Sequence, residues 1–288
     1  MSQKILVTGA SGGFGSLITH TLIQKGHTVV GSLRDANGRN AEKANALREA
    51  GALVVEIDVT DEASVTAGIE DAQEKTGGLT VVVNNAGAGV LGLQETFTAE
   101  DWQRVFDINV FGVQRVNRAV LREMRAQGSG LLVHISSLLG QFVLPFLGPY
   151  NASKHALEAL AANYRVELSG SGIESVIVQP GAYPTSFHEA TLSPSDLDRA
   201  STYGDFQHAP QGLMEGFAGA MAEKAPDPQG VADAVAKLVA TPRGERPFRT
   251  VVDEMGMGPA IEGVNAASEQ AMQGIYGALE MSGMLKVS

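Results

Sequence analysis

The sequence predicts a single-domain α/β protein built on a doubly wound parallel sheet, and three observations carry that prediction. Short, solidly apolar, β-branched segments alternate with helical patterns through the first two thirds of the chain, as buried parallel strands and their crossover helices do. The first such segment runs straight into a glycine-rich turn and then a helix. Small hydroxyls, amides and glycines recur at the C-terminal ends of the first, fourth, fifth and sixth strand patterns, which in a doubly wound sheet open on one crevice. No internal repeat and no separating linker divides the 288 residues, so one domain over 1–288 is expected.

Ile5-Leu6-Val7 reads as the first strand and leads through Thr8-Gly9-Ala10-Ser11-Gly12-Gly13-Phe14-Gly15 into a helical pattern that ends at Lys25-Gly26. Glycines let the backbone turn tightly and let a pyrophosphate approach the N–H groups of a helix N-terminus, where the dipole also favours an anion. The glycines at 9, 13 and 15 depart from the G-x-G-x-x-G spacing. Thr28 to Leu33 forms the second strand, whose end is where dinucleotide folds read the adenosine ribose. An acid there would accept from a 2′-hydroxyl and repel a 2′-phosphate. Arg34 follows instead, and its planar fork suits a phosphate, which favours NADP over NAD, with Asp35 beside it opposing.

A helix over Asn40 to Ala50, a strand over Leu53 to Asp58, a helix from Asp61 and a strand over Leu79 to Val83 complete a βαβαβ pattern, and the last strand ends in Asn84-Asn85-Ala86-Gly87. A long helix is expected across Glu100 to Arg125 with Asn109 near its middle. Asparagine is a poor helix-interior residue: facing inward it must satisfy its amide by bending the helix or binding water, and the alternative is that it points to solvent. Gly130 to Ser137 reads as the fifth strand and Glu174 to Gln179 as the sixth, which stops at Pro180-Gly181 with Thr185 close behind.

Between those two strands a helix carries Tyr150-Asn151-Ala152-Ser153-Lys154. On a helix the tyrosine and the lysine stand one turn apart on the same face. A free phenol titrates near pH ~10, so acid/base work at pH ~7 means moving it by about three units, or roughly 4 kcal/mol. An adjacent ammonium favours the phenolate. At an effective dielectric of ~20, opposite charges ~5 Å apart attract by roughly 3 kcal/mol, so the lysine is expected to supply much of the shift and a second cation the remainder.

Together these residues resemble the short-chain dehydrogenase/reductase family, whose marks are T-G-x-x-x-G-x-G, N-N-A-G, a serine, Y-x-x-x-K and P-G-x-x-x-T, all present here in order over about residues 4 to 185. The resemblance implies a Rossmann sheet binding NAD(P) and a tetrad of Asn109, Ser137, Tyr150 and Lys154. By matching position, Thr8, Gly9, Ser11, Gly13, Phe14 and Gly15 would hold the pyrophosphate side and Arg34 the 2′-phosphate. Asp58 and Val59 would flank the adenine, Asn85, Ala86 and Gly87 the adenosine ribose and central wall, and Pro180, Gly181 and Thr185 the nicotinamide, whose ribose Lys154 would bind. It also implies hydride transfer to or from a carbonyl carbon. In that reaction Tyr150 moves the proton, Ser137 holds the oxygen, Lys154 acidifies the phenol, and Asn109 holds a water that links Lys154 to bulk solvent.

The loop from Leu138 to Leu147 is strongly apolar and suggests a greasy substrate wall at Leu139, Phe142 and Leu144, with core or subunit packing as the alternative. The long irregular stretch over 183–228 scatters Tyr183, Phe187, Tyr203, Phe206, Met214 and Phe217 and matches the family's substrate lid, where Tyr183 and Phe187 are candidate contacts. Asp227 to Ala240 reads as a helix, Arg249 to Asp253 as a last strand, and 258–288 as a helical C-terminal extension. By resemblance a homodimer or homotetramer is expected.

A net charge of −11 argues against nucleic acid or an anionic membrane as partner, and the lack of cysteine excludes thiolate chemistry and disulfides. With no apolar run long enough to span a bilayer and no leader pattern, a cytoplasmic protein is expected. Gly9-Ala10-Ser11-Gly12-Gly13 formally matches the G-x-S-x-G elbow of serine hydrolases, but it follows the first strand, with no earlier strand to donate an oxyanion N–H. The six histidines show no ligand spacing, so no metal is expected. The expected activity is an NADP(H)-dependent oxidoreductase acting on a ketone, aldehyde or secondary alcohol of apolar character. The rival from another class is a catalytically silent NADP(H)-binding sensor, which would need neither Tyr150 nor Lys154.

Overall fold

A computed structural model describes residues 2–185 and 191–287. Its strands are β1 (Lys4–Val7), β2 (Thr28–Leu33), β3 (Leu53–Glu56), β4 (Val81–Asn84), β5 (Gly130–Ile135), β6 (Ile173–Pro180) and β7 (Arg249–Val252). All neighbours pair in parallel, in the order β3-β2-β1-β4-β5-β6-β7. Parallel strands cannot be joined by tight turns, so helices cross over the sheet. The winding reverses between β1 and β4, which leaves a crevice at their C-terminal ends.

Alternation along each strand divides the apolar residues between two cores. Ile5, Val7, Val81 and Val83 face α1 (Gly13–Gln24), α2 (Ala41–Glu49) and α9 (Gln229–Ala240). Leu6 and Val82 face α3 (Glu62–Thr76) and α5 (Gly112–Gln127). A sheet covered on both faces needs strands apolar on both sides, which is why β1 and β4 read as continuous apolar runs.

Three segments differ from the sequence expectation. β3 stops at Glu56 rather than Asp58, which releases Asp58 to the loop that borders the crevice. The helix expected across Glu100 to Arg125 is α4 (Ala99–Phe106), a five-residue π-helical turn (Asp107–Phe111) and α5. Asn109 sits in that turn and faces inward, where its Oδ1 accepts from Ala88 N at 2.8 Å and its Nδ2 donates to Ala88 O and Ser153 Oγ, both at 2.9 Å. Bending the helix, not facing solvent, is how the amide is satisfied. The stretch expected to be irregular holds α7 (Leu197–Ser201) and α8 (Ala209–Lys224), while the C-terminal extension, expected to be helical, holds α10 (Gly258–Ala278). The Tyr150 helix is α6 (Gly148–Glu167), which lies between β5 and β6 in the chain.

His134 on β5 is wholly buried, near Asn84 on one side and bonded to Ser175 on the other. Burial, aided by the charge of Lys154, pushes it from 6.5 down to about 3. The folded value lies below the unfolded one, so the unfolded chain holds the extra proton between about pH 6.5 and pH 3. Stability therefore falls as pH falls through that window, by up to about 1.4 kcal/mol per pH unit. Thermal melting from pH 7 to pH 4.5 is expected to show a steeper decline for the wild type than for His134→Gln. Parallel curves would assign the acid sensitivity to carboxylates instead.

Candidate active site

A cleft of about 1100 Å³ opens at the C-terminal ends of the central strands. Its lining brings together the turn after β1 (Gly9, Ser11, Gly13, Phe14), the turn after β4 (Asn85, Ala86, Gly87), Ser137 after β5, Tyr150 and Lys154 from α6, and Pro180, Gly181 and Thr185 after β6. Residues far apart in sequence thus share one surface for a single reason, the reversal of winding beside β1.

The glycine turn is shaped from beneath. Thr8 is buried, and its Oγ1 accepts from the backbone N–H groups of Asn85 at 3.0 Å and Ala86 at 3.1 Å. Asn85 Nδ2 donates to Thr8 O at 2.9 Å and Gly9 O at 3.1 Å. A Cβ on Gly15 would stand 2.2 Å from Gly9 O and 2.6 Å from Asn85 Nδ2, so no side chain fits there. Gly9 adopts φ +64° and Gly13 φ +52°. Thr8 and Gly15, expected at the pyrophosphate itself, do not line the cleft; they hold the turn that does. No side chain caps the first turn of α1. An uncapped helix N-terminus under a glycine-rich approach fits a pyrophosphate.

At the far end of the cleft Arg34 is exposed after β2, and Asn40 Nδ2 fixes its turn by donating to Arg34 O at 2.7 Å. Lys43, from the first turn of α2, lines the same end and was not singled out from sequence; its signal is its place just beyond the β2 turn. Asp58 and Val59 are there as expected. Burial raises Asp58, but its bonds from Thr60 and the fields of Arg34 and Arg39 hold it below the usual carboxylate range.

The centre of the cleft holds the Tyr-Lys pair. Tyr150 is half-buried and hydrogen-bonded to Ser137, whose Oγ also accepts from Leu139 N at 3.1 Å. Lys154 Nζ donates to Ile135 O at 2.8 Å and lies 5.6 Å from the centre of the Tyr150 ring. Asn109 does not line the cleft; through Ser153 and Ala88 it ties the π turn to α6 and to the loop after β4. The electrostatics correct one expectation. Burial pushes the Tyr150 phenol up to about 12, with the Ser137 bond pulling the other way, so in the coenzyme-free protein the lysine does not acidify it. Burial also brings Lys154 down to about 8, against the opposing field of Glu158.

The remaining wall is apolar. Leu139, Phe142 and Leu144 line it as expected, joined by Leu91 and Leu192. Met214, Phe217 and Met221 reach it from α8, and Met257 from the turn before α10. The i, i+3, i+7 spacing of the α8 trio was legible as one helix face once a helix was recognised there. Tyr183 touches the cleft but is largely core: it is buried, packs edge-on against Phe14 at 5.7 Å, and its hydroxyl has no hydrogen-bond partner among the described residues. Phe187 lies outside the described residues. Among the described residues no cluster of potential metal ligands occurs.

A doubly wound sheet with a glycine-lined turn and a Ser-Tyr-Lys group at the same edge is the arrangement of nucleotide-binding oxidoreductases. The chain belongs to the short-chain dehydrogenase family, whose model matches residues 3–195. Among its relatives is a 3-ketodihydrosphingosine reductase of Bacteroides thetaiotaomicron, 31% identical over 93% of this chain and 92% of that protein. Among solved structures, a short-chain dehydrogenase/reductase from Burkholderia phymatum in complex with NAD superposes with a TM-score of 0.74 at 26% identity, covering 94% of this chain and 95% of that one. A variant of the actinorhodin polyketide ketoreductase with NADPH superposes with a TM-score of 0.69 at 29% identity, covering 83% of this chain and 90% of that one.

If the glycine turn is a dinucleotide cradle, Gly15→Ala should weaken NADPH binding by about 10- to 100-fold through overpacking against Gly9 O. Gly263→Ala, which adds a methyl in open space on α10, should leave it unchanged. Fluorescence titration with NADPH distinguishes the two, and unimpaired binding by Gly15→Ala would remove the cradle assignment.

Proposed function

We propose that this chain is an NADP(H)-dependent oxidoreductase that interconverts an apolar ketone or aldehyde with its alcohol. The observation that carries the reading is the Ser137–Tyr150 hydrogen bond beside the buried Lys154 ammonium, at the point where the charged and apolar parts of the cleft meet. A silent sensor has no use for this group, and burying an ammonium without a task is costly.

When bound, the nicotinamide supplies or accepts the hydride. Gly9, Ser11, Gly13 and Phe14 with the α1 N-terminus hold the pyrophosphate. Asp58 and Val59 flank the adenine, Asn85, Ala86 and Gly87 the adenosine ribose and central wall, and Lys154 holds the nicotinamide ribose beside Pro180, Gly181 and Thr185. Ser137 Oγ donates to the substrate oxygen, and Tyr150 delivers a proton to that oxygen or takes it away. A phenol at about 12 is protonated at neutral pH, which suits reduction: the acid is loaded before the carbonyl arrives. Asn109 acts by position, keeping α6 and the loop after β4 in register. The half-buried apolar walls from Leu139, Phe142 and Leu144 and the methionine face of α8 favour an apolar substrate. A relative named for reducing a keto group, aligned over nearly its full length, supports that direction.

Arg34, with Lys43 beside the same end, supports NADP as the preferred coenzyme, with NAD less favoured. Residues 183–228 serve as a substrate lid and 258–288 as an extension of the one domain. No described helix is long and apolar enough to cross a membrane. A cytoplasmic homodimer or homotetramer acting on a small molecule, without nucleic acid or membrane, completes the reading.

Tyr150→Phe is expected to abolish turnover while leaving NADPH affinity within a few-fold. Retained turnover in a panel of apolar ketones and aldehydes, followed by NADPH absorbance, would refute the proton-transfer role. Arg34→Ala should weaken NADPH by roughly ten- to a hundredfold, as loss of a charge-assisted bond does, and NADH hardly at all. Equal losses would remove the phosphate argument.

A further inference from the structure

Glu158 stands one turn beyond Lys154 on α6, and its side chain is buried. Its Oε1 accepts from Gln179 Nε2 on β6 at 2.9 Å. Its Oε2 accepts from Arg249 Nε on β7 at 2.8 Å and from Gln141 Nε2 at 3.2 Å. Gln179 Oε1 in turn accepts from Asn265 Nδ2 on α10 at 2.7 Å. An unbroken hydrogen-bonded line therefore runs from α10 through Gln179 and Glu158 to Gln141. Arg165 of α6 fastens the same helix by pairing with Glu269 at 2.7 and 2.9 Å.

Gln141 is the only polar side chain in the stretch Leu138-Leu139-Gly140-Gln141-Phe142-Val143-Leu144-Pro145-Phe146-Leu147. Its neighbours Leu139 and Phe142 face the cleft, whereas Gln141 turns to Glu158. Apolar contacts alone orient a loop weakly because they are non-directional. One hydrogen bond to a buried carboxylate fixes it.

We propose that Glu158 is a positioning residue, whose carboxylate sets the apolar wall of the substrate cleft through Gln141 and keeps Lys154 charged, under the hold of the C-terminal helix. This rests on the oxidoreductase reading above. Replacing a buried ion pair by apolar residues of similar volume is often neutral for stability, so the buried Glu158–Arg249 pair points to a task beyond folding. Lys154 faces Glu158 and Tyr150 on its own helix, the neutral His134 and the carbonyl of Ile135 on β5, and Gly87 and Asn109 beyond its Nζ. Of these, Glu158 is the one whose charge opposes the loss of the lysine proton. Glu158 itself faces Arg249, Gln179, Gln141 and Lys154.

Three variants of the full chain test this. Gln141→Leu cuts the link to the loop and is expected to raise KM for an apolar ketone by about three- to tenfold, the effect of one lost hydrogen bond, with NADPH affinity and melting temperature unchanged. Glu158→Gln leaves Arg249 buried and unpaired and is expected to fold poorly, so Glu158→Gln with Arg249→Met, which removes both charges, is the decisive form. It should melt close to the wild type, carry the raised KM, and lose NADPH affinity at a pH about one unit lower on the alkaline side. NADPH affinity is read by fluorescence and does not require turnover. If the wild type turned over no carbonyl, the oxidoreductase reading would fail while the alkaline shift still judged Glu158. A double variant with wild-type KM and an unmoved alkaline limb, or a Gln141→Leu variant with wild-type KM, would overturn the proposal.

Discussion

The bond from Lys154 Nζ to the carbonyl of Ile135 joins the last residue of β5 to the second turn of α6, and the centre of the cleft is organised by it. A strand-end carbonyl has no further ladder partner, so it is a free acceptor at the place where a doubly wound sheet binds ligands. Anchoring the ammonium there fixes the rotation of α6, which puts Tyr150 against Ser137 two residues beyond the same strand. Asn109 also reaches α6, through Ser153, itself bonded to Tyr150 O at 2.8 Å. The helix is therefore pinned at two successive residues, Ser153 and Lys154, before any ligand contributes.

The same logic of strand ends recurs at β1 and β4. Thr8 and Asn85 exchange side-chain and backbone bonds across the reversal of winding, and Gly9 and Gly15 leave out methyls that would force the two turns apart. Polar residues at these positions satisfy backbone groups that a sheet edge leaves open, which is why they stand at the ends of strands whose interiors are wholly apolar. Function occupies the margin where regular hydrogen bonding runs out.

The alternation of apolar strands with helices made the sheet legible, because two buried faces demand it. Tyr150, Lys154 and Ser137 were legible because one helical turn and one strand end fix their separation. Thr8 and Gly15 belong to the expected turn but stand beneath the cleft surface, since a motif gives spacing and not depth. The π turn at Asn109 was half legible: the poor propensity marked the position, and only the partners Ala88 and Ser153 decided the direction. Lys43 and Met257 were missed because isolated residues carry no period, Met221 because the stretch that holds α8 was read as irregular, and Glu158 because a carboxylate on an amphipathic helix reads as solvent-facing until Arg249, Gln179 and Gln141 are seen around it.

The electrostatics of the pair decide how such a site can work. With Lys154 near 8 and Tyr150 near 12, the ammonium gives up its proton before the phenol does, so the coenzyme-free protein does not populate a phenolate beside a charged lysine. Raising a phenol from 10.0 to about 12 corresponds to roughly 3 kcal/mol in favour of the neutral form. Moving the phenol below its ordinary value then requires a further positive charge, and the cleft has a place for one where the glycine turn and the Pro180-Gly181 edge converge on Tyr150. An oxidised nicotinamide carries that charge and a reduced one does not. In the reaction proposed above, acidity is thus a property of protein and coenzyme together: a protonated phenol would stand ready for reduction, and alcohol oxidation would need the charged ring in place before the proton can leave.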